Sequence, residues 1–179
     1  MKQPMDHLKS KKKPARKTVW IAGDSELAEE LSDLEASLSR EQKSAEMLSD
    51  GPRREAAIQA AVELKAQVEA KRAEVRETSI KFVFRALGAK RYDDLLAAHP
   101  PTDEQIEQLK AQGEDNAPFN TETFPKALVA ASCVEPEMTP EEMIEWLSGD
   151  DWNNNEILSL FMAASQVNSM RSVVNLGKD

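Results

Sequence analysis

Few side chains in this sequence are equipped for chemistry. Histidine occurs at His7 and His99 alone, and cysteine at Cys133 alone. His99 stands in DDLLAAHPPTDEQ, residues 93–105, at the end of an apolar helical turn and directly before Pro100 and Pro101. A general base there needs a nucleophile and an orienting acid within hydrogen-bond reach. Asp93 and Asp94 lie on the same predicted helix, five and six residues earlier, a spacing that does not favour direct pairing. Proline disfavours the helical conformation in the residue before it. An imidazole also suits the negative end of a helix dipole. His99 therefore reads as a helix terminus. Cys133 lies in ALVAASCVEP and reads as a buried core thiol.

The run DDWNNNE, residues 150–156, tests a metal reading. Asp151, Asn153 and Asn155 copy the first three ligand positions of a calcium loop. The sixth position is then Glu156 instead of glycine, and the twelfth is Met162 instead of a bidentate glutamate. A capped helix start accounts for the same residues. No GxGxxG, P-loop, CxxC, HExxH or GxSxG is present. The expectation is a non-enzyme with no catalytic residue, cofactor or metal. Binding is the remaining chemistry. Trp146 and Trp152 flank an acidic turn and, with Phe119 and Phe124, are the candidate partner-binding residues, because aromatics dominate interface hot spots. The alternative is that these rings, and Phe161, close a small helical core.

Those residues must be held by mostly helical elements. TVWIA (18–22) is apolar and β-branched and predicts a strand ended by Gly23; TSIKFVFRAL predicts another over 78–85. In the latter, Ile80, Phe82 and Phe84 would share one face, with Lys81, Val83 and Arg85 on the other. Between them, 24–48 carries Leu27, Leu31, Leu34, Leu38, Ala45 and Leu48 at helical spacing. After the breaker at 50–52, residues 53–77 repeat the seam with Ala57, Ala61, Leu64, Val68 and Val75, interrupted by Lys71. Two equally long seamed helices joined by a short loop predict an antiparallel hairpin. Further helices are expected over 89–99, 102–112, 122–134, 139–148 and 151–170. Thr102/Gln105 and Thr139/Glu142 form capping-box patterns. The predicted fold is α+β, mostly α. A two-strand antiparallel sheet (18–22, 78–85) carries an inserted helical hairpin, and a C-terminal helical bundle (88–179) packs on the sheet as one domain with it.

Charge sets further limits. Residues 2–17 hold seven Lys or Arg against one Asp, while the whole chain carries −9. The first seventeen residues read as a disordered basic tail, and the body is acidic enough to repel nucleic acid except through that tail. One cysteine allows no intramolecular disulfide and fits a reducing compartment. No apolar h-region follows the basic start, so no signal peptide is expected, and no run of about 18 apolar residues could span a membrane.

Three stretches together resemble a known family. IKFVFRALGAKRYDDLLAAHPPTDEQ, FNTETFPKALVAASCVEPEMTPEE and WLSGDDWNNNEILSLFMAASQVN are similar to the tail assembly chaperones of long-tailed (siphovirus-type) phages, chiefly those of actinobacteria. The shared order is a strand ending in RAL, a helix ending in HPP, an FN-ETF helix start, VEP, and a late helix ending in VN. The resemblance spans residues 18–170. Its departure is ALGAKRY, where members carry proline after the leucine. It implies a chaperone that binds the tape measure protein, and also the tail-tube protein, in the cytoplasm of the infected host. It implies absence from the mature virion and, in many members, a longer frameshifted form. Two other classes fit the composition: a virion component such as a head–tail connector or minor tail protein, and a small nucleic-acid regulator using the basic tail. The hairpin seams could also pair between copies, making a homo-oligomer.

Overall fold

A computed structural model describes residues 13–113 and 118–169. The fold is α+β and mostly helical, with a three-stranded antiparallel sheet of order β1-β2-β3 among the described residues. β1 spans Arg16–Ile21 and β2 Ile80–Arg85. Arg16 and Lys17, expected in the basic tail, are thus already strand; residues 1–12 of that tail lie outside the described residues. The chain divides into two compact units. One is Trp20–Ile80, and the other is made by the described residues before and after it.

The Trp20–Ile80 unit is the expected hairpin. Helix α1 (Ser25–Met47) starts at Asp24, whose carboxylate accepts the Glu26 and Leu27 amides at 2.9 and 3.1 Å. Pro52 opens α2 (Pro52–Thr78), where its missing N–H costs nothing. Gly51 before it has φ 145°, a left-handed conformation that favours glycine. The seam is as the spacing predicts. Leu27, Leu31, Leu34, Leu38, Ala45 and Leu48 are half-buried on α1; Ala57 and Val68 are buried on α2, beside half-buried Ala61, Leu64 and Val75. Lys71 interrupts the seam without being stranded. Its ammonium meets Glu30 at 2.8 Å and Glu74 at 2.7 Å, and the hydrogen bond to Glu30, followed by that to Glu74, pushes its pKa above the ordinary 10.5. Arg72 likewise bridges to Glu35 across the hairpin at 2.7 Å. At the open end, a Cβ on Gly23 would lie 2.3 Å from the Thr78 carbonyl oxygen, so only glycine admits this approach of the two arms. Beside it the Arg76 guanidinium lies 5.5 Å from the centre of the Trp20 ring.

The other unit surrounds β2. Phe82 and Phe84 are wholly buried, and Val83 is buried as well instead of facing outward with Lys81 and Arg85. The pairing register shifts between Val83 and Phe84, against a strand not anticipated from sequence. β3 (Cys133–Glu135) pairs antiparallel with β2, Val83 opposite Glu135 and Phe84 opposite Cys133, which makes β2 central. The helix expected over 122–134 therefore stops as α5 (Phe124–Ser132). Pro136 favours extended backbone at Glu135, and pairing with β2 extends that preference back to Cys133. Cys133 is accordingly half-buried in a strand, not a core thiol in a helix.

Helices α3 (Ala89–Ala98) and α4 (Asp103–Ala111) meet at His99-Pro100-Pro101. α6 spans Pro140–Trp146 and α7 Asn154–Ser169. α5 and α7 carry most of this unit's core. Phe124, Leu128 and Val129 on one and Leu160, Ala164 and Val167 on the other are buried. Asn168 ties these elements together. Its amide nitrogen donates to Ser132 Oγ at 3.0 Å and to the Ala164 carbonyl at 2.7 Å, and its oxygen accepts the Leu87 N–H at 2.7 Å. Ser132, the buried polar residue, is thereby satisfied.

The two expected capping boxes are formed. At α6 the Thr139 hydroxyl accepts the Glu142 N–H, and the Glu142 carboxylate accepts the Thr139 N–H at 2.8 Å. The bond from the Thr139 N–H first, and then the Thr139 hydroxyl, hold the Glu142 carboxyl below its ordinary 4.5. Thr139→Ala should cost about 1 kcal/mol of stability in urea unfolding. The carboxylate's share is complete above the unfolded value and is lost as pH falls through the lower folded one. The melting-temperature gap between the wild type and Glu142→Gln should therefore narrow between about pH 6 and about pH 3. A gap that widens towards acid would contradict the assignment.

Candidate partner-binding groove

The four candidate aromatics fall into two separate clusters. Trp146 ends α6, and Trp152 lies in the turn before α7. Their rings are 4.9 Å apart and nearly perpendicular, and each is 5.9 Å from Phe82. Phe82 is wholly buried. The tryptophans thus close the core over β2, and neither is exposed. The Trp152 indole N–H is buried with no hydrogen-bond partner among the described residues.

Phe119 and Phe124 belong to a different group. Their ring centres are 4.5 Å apart, and both pack on Phe161, at 5.9 and 6.2 Å. Tyr92 and His99 reach Phe124 from 6.1 and 6.3 Å. Phe124 is wholly buried, so it supports a surface without forming part of one. Phe119 remains half-buried. The four candidate residues therefore do not share one surface.

What stands open is a groove between the start of α5 and the first half of α7. It encloses about 640 Å³ and is lined by Phe119, Pro125, Ile157, Leu158 and Phe161, with Thr121, Glu122, Lys126 and Asn154. Leu158 is 52% exposed, and Met162, one turn on along α7, is 63% exposed. Residues four apart share a helix face, so these two form an apolar strip outside the buried stripe of Leu160, Ala164 and Val167. Pro125, Leu158 and Met162 were not among the residues expected to bind a partner, and Ile157 was expected on the apolar stripe of this helix with Leu160, Phe161, Ala164 and Val167. Their signal was present: α7 is apolar on more faces than one core needs.

The loop before α5 is fixed by short polar contacts. Asn120 Oδ1 accepts the Glu122 and Thr123 amides at 3.0 and 3.1 Å, and the Asn120 N–H donates to the His99 carbonyl at 2.9 Å. His99 Nδ1 pairs with Thr123 Oγ1 at 2.9 Å. His99 caps α3 as expected, and it also locks the FNTETF turn that presents Phe119. The DWNNNE run proves to be a cap too. Asn153 Oδ1 accepts the Asn155 and Glu156 amides at 2.9 and 3.0 Å, while Glu156 accepts the Asn153 N–H at 2.9 Å. α7 consequently begins at Asn154 instead of 151.

Burial pushes the Cys133 thiol up, and its S–H lies 3.0 Å from the Glu135 carbonyl, to which it donates. Among the described residues no three His, Cys, Asp or Glu side chains are grouped to hold a metal, and no helix is long and apolar enough to cross a membrane. The groove's chemistry is apolar contact with a few polar groups at its rim, which suits one face of an amphipathic helix. Compared with protein-family models, with curated proteins and with solved structures, the chain matches none.

Proposed function

We propose that this protein is a non-enzymatic phage tail assembly chaperone that holds an apolar helical segment of the tape measure protein in the α5–α7 groove. The observation carrying this reading is the open groove with Leu158 exposed beside Phe119 and Phe161. Leu158 and Met162 continue the groove's apolar lining into one patch, and contiguous exposed apolar patches mark interaction sites. A tape measure protein is long and largely helical, and it must be kept soluble until tail-tube subunits polymerise around it. Its apolar stripes repeat at three and four residues, the spacing that a groove of this kind accepts. The resemblance in residues 18–170 supplies the partner's identity. It also places the complex in the cytoplasm of the infected host and outside the finished particle.

Leu158→Asp tests the reading directly. Its side chain is half in solvent, so the fold should keep its melting temperature within a few degrees. Binding of a labelled tape-measure helix should weaken about tenfold or more, because burial of the leucine's exposed half, about 1 kcal/mol, is lost and a carboxylate is set against an apolar face. Unchanged affinity sinks the groove as the holding surface. A stoichiometric presence of the protein in purified particles, by mass spectrometry, would favour a virion component instead.

A further inference from the structure

The Trp20–Ile80 unit is short of core. Its buried apolar side chains are Ile21, Ala57 and Val68. α1 buries none of its 23 residues, and its seam leucines all keep part of their surface in water. α2 carries apolar surface on a second face as well. Ile58 is 46% and Val62 58% exposed, one turn apart, and exposed Ala66 continues the line. At 3.6 residues per turn, Ile58 and Val62 lie roughly 100–140° round α2 from the seam of Ala57, Ala61, Leu64 and Val68. A helix that touches two neighbours in a four-helix bundle presents apolar residues on two such faces, whereas a helix in a lone hairpin needs one.

We propose that the hairpin pairs with that of a second copy of this chain, forming a two-fold four-helix bundle in which each α2 lies beside the partner's α1. Charge selects this arrangement. Residues 24–48 carry eight acidic and two basic side chains, and residues 53–77 carry six basic and five acidic. Two α1 helices side by side would repel, while α1 beside α2 attracts. The bundle puts the acidic helices on a diagonal and gives every helix a neighbour of different charge. A second copy also supplies two arms of matching length and a seam of matching spacing, and a two-fold contact closes without leading to filaments. The missing burial belongs to the chain itself, so the cover it needs must be present whether or not a client is bound. The inference rests on the hairpin alone and stands apart from the α5–α7 groove.

The test is the molar mass of the full chain by light scattering and by sedimentation, over about 1–100 μM, a range that brackets ordinary dimer affinities. The chain mass is 19.9 kDa, and twice that is expected, falling towards the monomer on dilution. The double variant Ile58→Glu, Val62→Glu should be monomeric throughout with its helical circular dichroism kept. If that variant loses helix, Ile58→Ser, Val62→Ser is the reading to take, with a dimer at least tenfold weaker than wild type. Leu158→Asp should remain a dimer. A wild-type chain that is monomeric at every concentration, a variant pair that dimerises as tightly as wild type, or an assembly larger than two copies each overturns the proposal.

Discussion

Replacing Phe82 with alanine should lower the unfolding free energy by about 3–5 kcal/mol. Phe82 is wholly buried on the central strand, stacked on Phe84 at 6.2 Å and on Trp146 at 5.9 Å, with the edge of Trp152 at 5.9 Å. The cavity would open between a strand and two indoles packed edge to face on one another at 4.9 Å, large rigid groups that collapse poorly into it. Emission from Trp146 and Trp152 should shift to the red as water reaches them. A double-mutant cycle with Trp152→Ala should show a coupling of about 0.5–3 kcal/mol, since the rings touch. A loss under about 1 kcal/mol for Phe82→Ala would mean that the tryptophans are held from elsewhere. They would then regain their claim as a binding surface. Equilibrium denaturation with an unchanged m-value is the measurement that decides.

Local signals were legible and non-local ones were not. The hairpin seam could be read residue by residue, because a helix face is fixed by spacing along one element. Thr102 and Thr139 could be read as helix starts for the same reason: a cap and the amides it satisfies lie within three residues. β3 could not. Cys133-Val134-Glu135 is too short to show a period, and what makes it a strand is the neighbouring edge of β2, about fifty positions away in sequence. The aromatics failed as one surface for a related reason. Sequence shows that Trp146 and Trp152 flank a turn, but Phe82 decides which side of that turn they face. Leu158 and Met162 were visible as residues off the buried stripe of α7, but only packing shows which apolar face is left uncovered.

The motifs behind the chaperone resemblance prove to do structural work. In HPP, His99 ends α3 and bonds Thr123; in FN-ETF, Asn120 closes the turn into α5; in VN, Val167 is core and Asn168 binds Ser132, Ala164 and Leu87. These residues fix where α5 and α7 lie, and so they fix the walls of the groove. A resemblance carried by such residues therefore speaks to the shape of the unit. Under the proposed function, affinity for the client would be set by exposed side chains such as Leu158, which the fold does not constrain.

Phe124→Ala should remove stability and binding together. The ring is wholly buried at the meeting point of Phe119 (4.5 Å), Tyr92 (6.1 Å), Phe161 (6.2 Å) and His99 (6.3 Å). Emptying it costs about 3–5 kcal/mol by the usual cavity penalty. It also takes away the surface against which Phe119 and Phe161 are set, and both line the groove. A labelled apolar helix should therefore bind at least tenfold more weakly even under conditions where the variant is folded. Phe124→Leu, which keeps most of the volume, should cost under about 1.5 kcal/mol if the neighbours repack, and it should keep most of the binding. Leu158→Asp supplies the opposite pattern, with stability kept and binding lost. The contrast separates a groove whose walls are positioned by the core from an apolar patch that merely overlies it. In the second case Phe124→Ala would weaken the fold and leave the affinity of the folded fraction untouched, and the groove reading would fail on that result.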